Sequence, residues 1–150
     1  MNKVVYNSCN GGFGLSTKAV AHILRQNKPG IKLYFYKQLH ADFVKYTKYK
    51  RVLESEKADF VSLKDFGECF STEEVNDVEL DDNFVYWTDL NLSRHDPRLI
   101  KAVEELGPDA EGDYSELKIA EIDSDRYIID EYDGLESVKT PADIEWVKIR

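Results

Sequence analysis

Cysteine is scarce in this 150-residue chain, and the two present, Cys9 and Cys69, sit in unrelated surroundings. Neither has a Cys or His neighbour at metal-ligand spacing, which argues against a disulfide framework or a metal site and for reduced thiols inside a cell. Long apolar runs are also missing. Nothing approaches the roughly 20 residues that cross a bilayer, and Met1-Asn2-Lys3-Val4-Val5-Tyr6 lacks the apolar stretch and cleavage site of a secretion signal. The expectation is a cytoplasmic protein with no membrane contact. Histidine is confined to His22, His40 and His95, with no Ser or Cys nucleophile motif around them, so no catalytic set, metal or cofactor is expected. Gly-x-Gly-x-x-Gly and Gly-Lys-Ser/Thr are absent as well, which removes the two common phosphate-loop signatures.

The chain does have the makings of a core. Hydrophobic residues form 42% and charged residues 33%, ordinary values for a globular chain of the commonest domain size, so one domain over residues 1–150 is expected. The net charge of −9 conceals a split: residues 1–51 carry ten Lys or Arg against one acid, Asp42, while the rest carry ten basic and 28 acidic residues. Either the fold interleaves the two parts and they neutralise each other, or they form separate faces. In the second case the basic face attracts phosphates and copies of the chain attract each other head to tail.

The pattern of apolar residues and turn formers suggests an α+β (or α/β) fold: a small single domain, with a mixed sheet, two or three helices and a C-terminal β-hairpin. A strand over residues 3–7 runs into the Ser8–Gly14 glycine loop, and a helix capped by Ser16 follows, with Leu15 stapled on Val20 and Ala19, Val20, Ile23 and Leu24 inward. Lys28-Pro29-Gly30 ends it. Residues 31–37 alternate Ile31, Leu33 and Phe35 against Lys32, Tyr34 and Tyr36, a half-buried strand. Helical spacing occurs around Ala41 and Val44 and again at Val52 and Leu53, with a short strand at residues 59–63. Residues 71–82 read as a loop or a short helix capped by Ser71 with Glu74 in capping-box position, and residues 84–87 as a strand. Asp96 and Pro97 start a helix that buries Leu99, Ile100, Val103 and Leu106 and stops at Gly107-Pro108. Strands at 117–122, 127–132 and 135–140 follow, the last two joined by Asp133-Gly134 as a type I′ turn. Residues 142–150 add a last strand or pack Trp146 on the core.

Three features carry chemistry. Asn10, Gly11, Gly12, Phe13, Gly14 and Ser16 form a glycine loop at a helix N-terminus, where backbone N–H groups and the helix dipole can hold a phosphate; the plain alternative is a loop that only turns the chain. Arg94 and His95 precede the Asp96-Pro97 cap and offer a guanidinium and an imidazole to an anion; the plain alternative is that they are solvated or paired with the acidic C-terminal part of the chain. The run from Lys45 to Arg51, with Lys48 and Arg51 as the candidate contacts, interleaves cations with tyrosines, a pattern that can track phosphates while stacking bases; the plain alternative is a solvated helix face. The acidic balance disfavours long nucleic acid and tolerates a small nucleotide. Cys9, beside a helix N-terminus, is the one nucleophile to test, against the plain reading of a small buried thiol.

The motif Tyr6-Asn7-Ser8-Cys9-Asn10-Gly11-Gly12-Phe13-Gly14-Leu15-Ser16 resembles an uncharacterised family of small bacteriophage proteins. Arg94-His95-Asp96-Pro97 with Val103 to Gly107, and Ile129-Asp130-Glu131-Tyr132-Asp133-Gly134, fit the same resemblance. It implies a phage origin and action in the host cytoplasm, and supplies no reaction. The leading expectation is a non-enzymatic phage accessory protein that binds a phosphate-bearing small ligand, such as a nucleotide signal of host defence, and sequesters it. The alternatives are an acidic inhibitor of a host nucleic-acid-binding protein and a small nucleotide-processing enzyme; a homo-oligomer is compatible with each.

Overall fold

Val4 and Val5 are neighbours in sequence and both are fully buried. Successive side chains of a strand point to opposite faces, so the strand that carries them, β1 (Asn2–Asn7), is covered on both sides. In the computed structural model, residues 1–39, 48–54, 65–74 and 84–150 are described. They divide into two compact units, Met1–Ile23 with Asn91–Arg150, and Leu24–Leu90. Every pairing between described strands is antiparallel, which makes the fold α+β. The strand, loop, helix and strand of the opening therefore do not build a parallel unit: β1 and the next strand enter different sheets.

In the first unit β1 pairs with β6 (Leu117–Ile122), Asn2 opposite Ile122 and Asn7 opposite Leu117. Helix α1 (Thr17–Asn27) starts where the Ser16 hydroxyl accepts the Ala19 N–H at 3.1 Å. Leu15 and Val20 are both buried, as a staple requires, and so are Ala19, Ala21 and Ile23. Helix α2 (Pro97–Leu106) begins with Asp96 accepting the Arg98 N–H at 2.9 Å and with Pro97 at its first position. It packs on β1 and β6 through a face that buries Leu99, Ala102 and Val103. Ile100 and Leu106, expected inside, are half-buried. The hairpin β7 (Ile128–Tyr132) and β8 (Leu135–Lys139) turns at Asp133 and Gly134, whose φ values of 49° and 84° are those of the type I′ turn. Strand β8 lies beside β1.

The second unit is a four-stranded sheet in the order β3 (Lys48–Val52), β2 (Tyr34–Leu39), β4 (Asp65–Ser71), β5 (Phe84–Val85). The alternation of residues 31–37 placed Tyr36 outside; it is fully buried, its ring 5.4 Å from Phe84, while Phe35 stacks at 5.7 Å on Phe70. Aromatic partners cover both faces of β2, so a period of two gave the wrong face. Val52 ends a strand instead of lying in a helix: it sits opposite Phe35 and is buried, while Leu53 is exposed. Ladder pairing with β2 overrides the helical spacing there. Ser71 ends β4, and its hydroxyl accepts the Glu73 N–H at 3.0 Å. Strand β5 is shorter than expected, because Tyr86 donates its N–H to Asp89 at 2.8 Å and the chain curls into a 3-10 turn, Trp87–Leu90. The helical spacing at Ala41 and Val44, the strand expected at 59–63 and residues 75–82 lie outside the described residues.

The C-terminal segment also departs from expectation. The 3-10 turn Pro141–Asp143 is held by Thr140, whose N–H and hydroxyl both donate to Asp143 at 2.8 and 3.0 Å. Beyond it residues 144–150 form no strand, and Trp146 is 80% exposed. Among the described residues no helix is long and apolar enough to cross a membrane.

One substitution tests how tightly the hairpin turn is seated. A Cβ on Gly134 would collide with the Asn10 carbonyl oxygen and would have to adopt a positive φ. Gly134→Ala is expected to cost about 1–3 kcal/mol in urea unfolding. Gly30→Ala, with open space around it, should cost far less.

Candidate functional site

Three polar residues converge where β1 ends. Asn7 is fully buried, a position that is costly for an amide unless each of its groups finds a partner. Its Oδ1 accepts the Glu116 N–H at 2.8 Å, and its Nδ2 donates to the carbonyls of Cys9 and Gly134 at 2.7 and 2.8 Å. One side chain thus joins the start of the glycine loop, the approach to β6 and the hairpin turn. The Asn7 backbone N–H donates to Glu136 at 2.8 Å. Glu136 in turn receives both ends of the Arg94 guanidinium, at 2.6 and 2.9 Å, and its side chain is only 5% exposed. The Arg94 guanidinium also lies 3.5 Å from the centre of the Phe13 ring, a cation-π contact.

Burial works against ionisation of Glu136, but the Arg94 hydrogen bonds, the Asn7 N–H and the Arg94 charge outweigh it and hold its carboxyl below the ordinary range. The same Arg94 charge opposes, and does not overcome, the burial that raises the Tyr127 phenol. Asp96 is also held low, chiefly by the Arg98 side chain and against its own partial burial, so the α2 cap stays anionic.

This network decides what the glycine loop can offer. Asn10 and Gly134 meet backbone to backbone, and a Cβ on Gly11 would collide with the Tyr114 carbonyl. Gly14 accepts the Gly112 N–H at 3.2 Å and the Ser115 hydroxyl at 2.8 Å. Ser16 donates its N–H to Ala110 and its hydroxyl to the Asp109 carbonyl at 2.5 Å. Residues 109–116 therefore lie against Gly11, Gly14 and Ser16, while the hairpin turn adjoins Asn10. The Asp109 carboxylate, 3.8 Å from Lys18 in the first turn of α1, puts negative charge near the place a phosphate would take. Phe13 serves as the platform for Arg94, and the Arg94 guanidinium is committed to Glu136.

The remaining candidates lie elsewhere. Lys48 and Arg51 belong to the second unit; the Lys48 side chain lies outside the described residues. Arg51 pairs with Glu74 and lies 4.8 Å from the centre of the Tyr34 ring. The split of charge along the sequence becomes pairing in space: Lys3 meets Glu104, Lys18 meets Asp109, Arg25 meets Glu54, and His22 lies 2.6 Å from Glu105. The Cys9 thiol, half-buried, donates to the Tyr114 carbonyl at 3.2 Å and to Asn7 Oδ1 at 3.4 Å, two acceptors of which neither is a base.

His95, by contrast, lines a cavity. Its Nδ1 is 2.7 Å from the Tyr127 hydroxyl, with the two rings edge to face at 5.6 Å. Both residues border a space of about 440 Å³ in the first unit, walled by Val4, Ile100 and Ile122 and edged by Lys3, Ser124 and Asp125. The direction of this hydrogen bond depends on the imidazole tautomer: where the Tyr127 hydroxyl donates to Nδ1, Nε2 is a donor for a ligand, and in the other tautomer it is an acceptor. Comparison with protein-family models, curated proteins and solved structures finds no match to this chain. Its site is therefore read from geometry alone. Among the described residues no group of three His, Cys, Asp or Glu side chains is placed to hold a metal ion.

Sequence reasoning missed Glu136, Asn7 and Tyr127. Glu136 did leave a signal, because it shares a hairpin face with Val138 where alternation calls for an apolar residue. Arg94→Ala leaves a buried carboxylate without its partner and is expected to cost about 3–5 kcal/mol in chemical denaturation. The carboxyl of Glu136 is depressed in the folded state, so its contribution is present above the unfolded value of roughly 4.3 and is lost as pH falls through the folded one. The stability gap between the native chain and Glu136→Gln should therefore narrow between pH 7 and pH 3, roughly the range of carboxylate titration.

Proposed function

We propose that this protein binds a small phosphate-bearing ligand in the cavity beside His95 and acts by sequestering it, as a phage accessory protein would sequester a nucleotide signal. The observation that carries the reading is the combination of a space of about 440 Å³, apolar walls and the His95–Tyr127 pair. Small-molecule sites have this composition: an apolar lining for most of the ligand and a few directed polar groups to orient it. Lys3, whose ammonium is shared with Glu104 at 2.6 Å, stands on the wall as a partly neutralised cation. The Glu104 hydrogen bond and charge raise its ammonium above the ordinary value, so it stays charged at neutral pH. Asp125 on the same rim is neutralised in part by Arg126 at 3.2 Å, which lessens its repulsion of an anion. Sequestration asks for affinity alone and needs no nucleophile, in keeping with a Cys9 thiol that faces only acceptors.

A second reading draws on a strip of carboxylates. Glu121, Asp123, Asp125, Asp130, Glu131 and Asp133 are all exposed, and among them only Asp125 has an ion pair with a described residue. Such a surface would suit the nucleic-acid channel of a host protein.

Calorimetric titration separates the two. Inorganic phosphate, mononucleotides and cyclic oligonucleotides are the probes, and at least one is expected to bind at low salt. His95→Ala should weaken it about tenfold, the worth of one lost hydrogen bond. Absence of heat with every probe would remove the ligand reading. A salt-sensitive basic protein captured from host lysate would then favour the acidic surface.

A further inference from the structure

We infer that residues 144–150 form a docking strand that adds to the outer edge of β6 in a second copy of this chain. The donor is conspicuous: Trp146 is 80%, Val147 92% and Ile149 98% exposed, with Ile144 at 41%. Four large apolar side chains in a stretch of seven residues are held in water, beyond a 3-10 turn that ends in extended backbone at Ile144. Scattered apolar residues need no explanation, but a contiguous run of them marks a contact surface.

The acceptor is an open strand edge. Val5 donates its N–H to the Arg94 carbonyl, away from β6, so the opposite residue, Ile119, also turns its N–H outward. The same alternation turns out the N–H groups of Leu117 and Glu121. Glu111 caps the Leu117 N–H at 2.9 Å, while the Ile119 and Glu121 N–H groups have no partner among the described residues. Such an edge is a template for another strand. Beside it lies a cleft of about 370 Å³ lined by Val103, Pro108, Leu117 and Ile119, with apolar room for an indole.

Charge selects the occupant. Glu111, Glu116 and Lys118 rim the cleft and Glu121 is exposed on the strand, a net negative edge, whereas the tail carries Glu145 before Trp146 and the cations Lys148 and Arg150 two and four residues after it. With Trp146 in the cleft and the strands antiparallel, these cations run toward Glu116 and Glu111. In the isolated chain the tail is exposed and the edge is open, so each copy both offers and lacks the same strand. Reciprocal exchange closes a two-fold dimer and doubles the buried area, bringing two short strands toward the roughly 1,200 Å² of a stable interface.

The test is light scattering with the full chain over about 1–200 µM, a range that spans ordinary dimer affinities, read together with tryptophan emission. The expected result is a concentration-dependent dimer whose emission shifts to the blue as it forms. Trp146→Asp alters a side chain outside the folded core and should weaken dimerisation at least tenfold. Glu121→Pro removes an outward N–H, leaves the β1–β6 hydrogen bonds in place and should act in the same direction. A monomer throughout the range would overturn the proposal, as would a dimer unchanged by Trp146→Asp, or a blue shift in a particle of monomer mass, which would place the tail on its own chain.

Discussion

The first unit depends on one buried carboxylate. Glu136 comes from the last strand of the hairpin, yet it receives the Asn7 N–H of the first strand and the guanidinium of Arg94 just ahead of α2. Taking an acid out of water costs several kcal/mol, and that cost is offset only when its oxygens are well filled. Here two guanidinium bonds and a backbone N–H fill them. The arrangement fixes where β8 lies against β1. Asn7 then carries the register outward, to the Gly134 carbonyl on one side and the Glu116 N–H on the other. A guanidinium that could have served a ligand is instead the counter-ion that lets the hairpin close.

That requirement explains the fate of the glycine loop. The glycines are needed for close approach, since Gly11 and Gly134 each bring backbone onto backbone where a methyl group would not fit. These contacts hold Gly11 and Asn10 against neighbouring backbone, while a Cβ on Gly12 would stand in open space. Neutralisation follows the same economy elsewhere: the cations early in the chain sit on acids from later segments, so a strongly divided sequence yields a surface of local pairs. Among the described residues, a run of exposed acids lies between Glu121 and Asp133.

Legibility in the sequence followed how local the deciding interaction is. Both helices were readable because Ser16 and Asp96 cap them within three residues, and the hairpin was readable because Asp133-Gly134 demands a specific turn. Strand β3 and the burial of Tyr36 were not, because they are decided by ladder partners and rings far along the chain. The site divides in the same way. His95 could be suspected from its place before a helix cap, but its partner Tyr127 is 32 residues away and the space between β1, α2 and the turn after β6 has no sequence signature. For Arg94, pairing with the acidic C-terminal part was one of the open readings; which acid it meets, Glu136 some 42 residues on, has no signal in its neighbours.

The pairing of β1 with β6 joins strands more than a hundred residues apart in sequence, Asn7 lying opposite Leu117. The sheet of residues 24–90, by contrast, contains all of its own strands and can complete them earlier. Pairings of such long range carry a larger loop-closure cost than the local ladders of residues 24–90, so the β1–β6 ladder is expected to close after them.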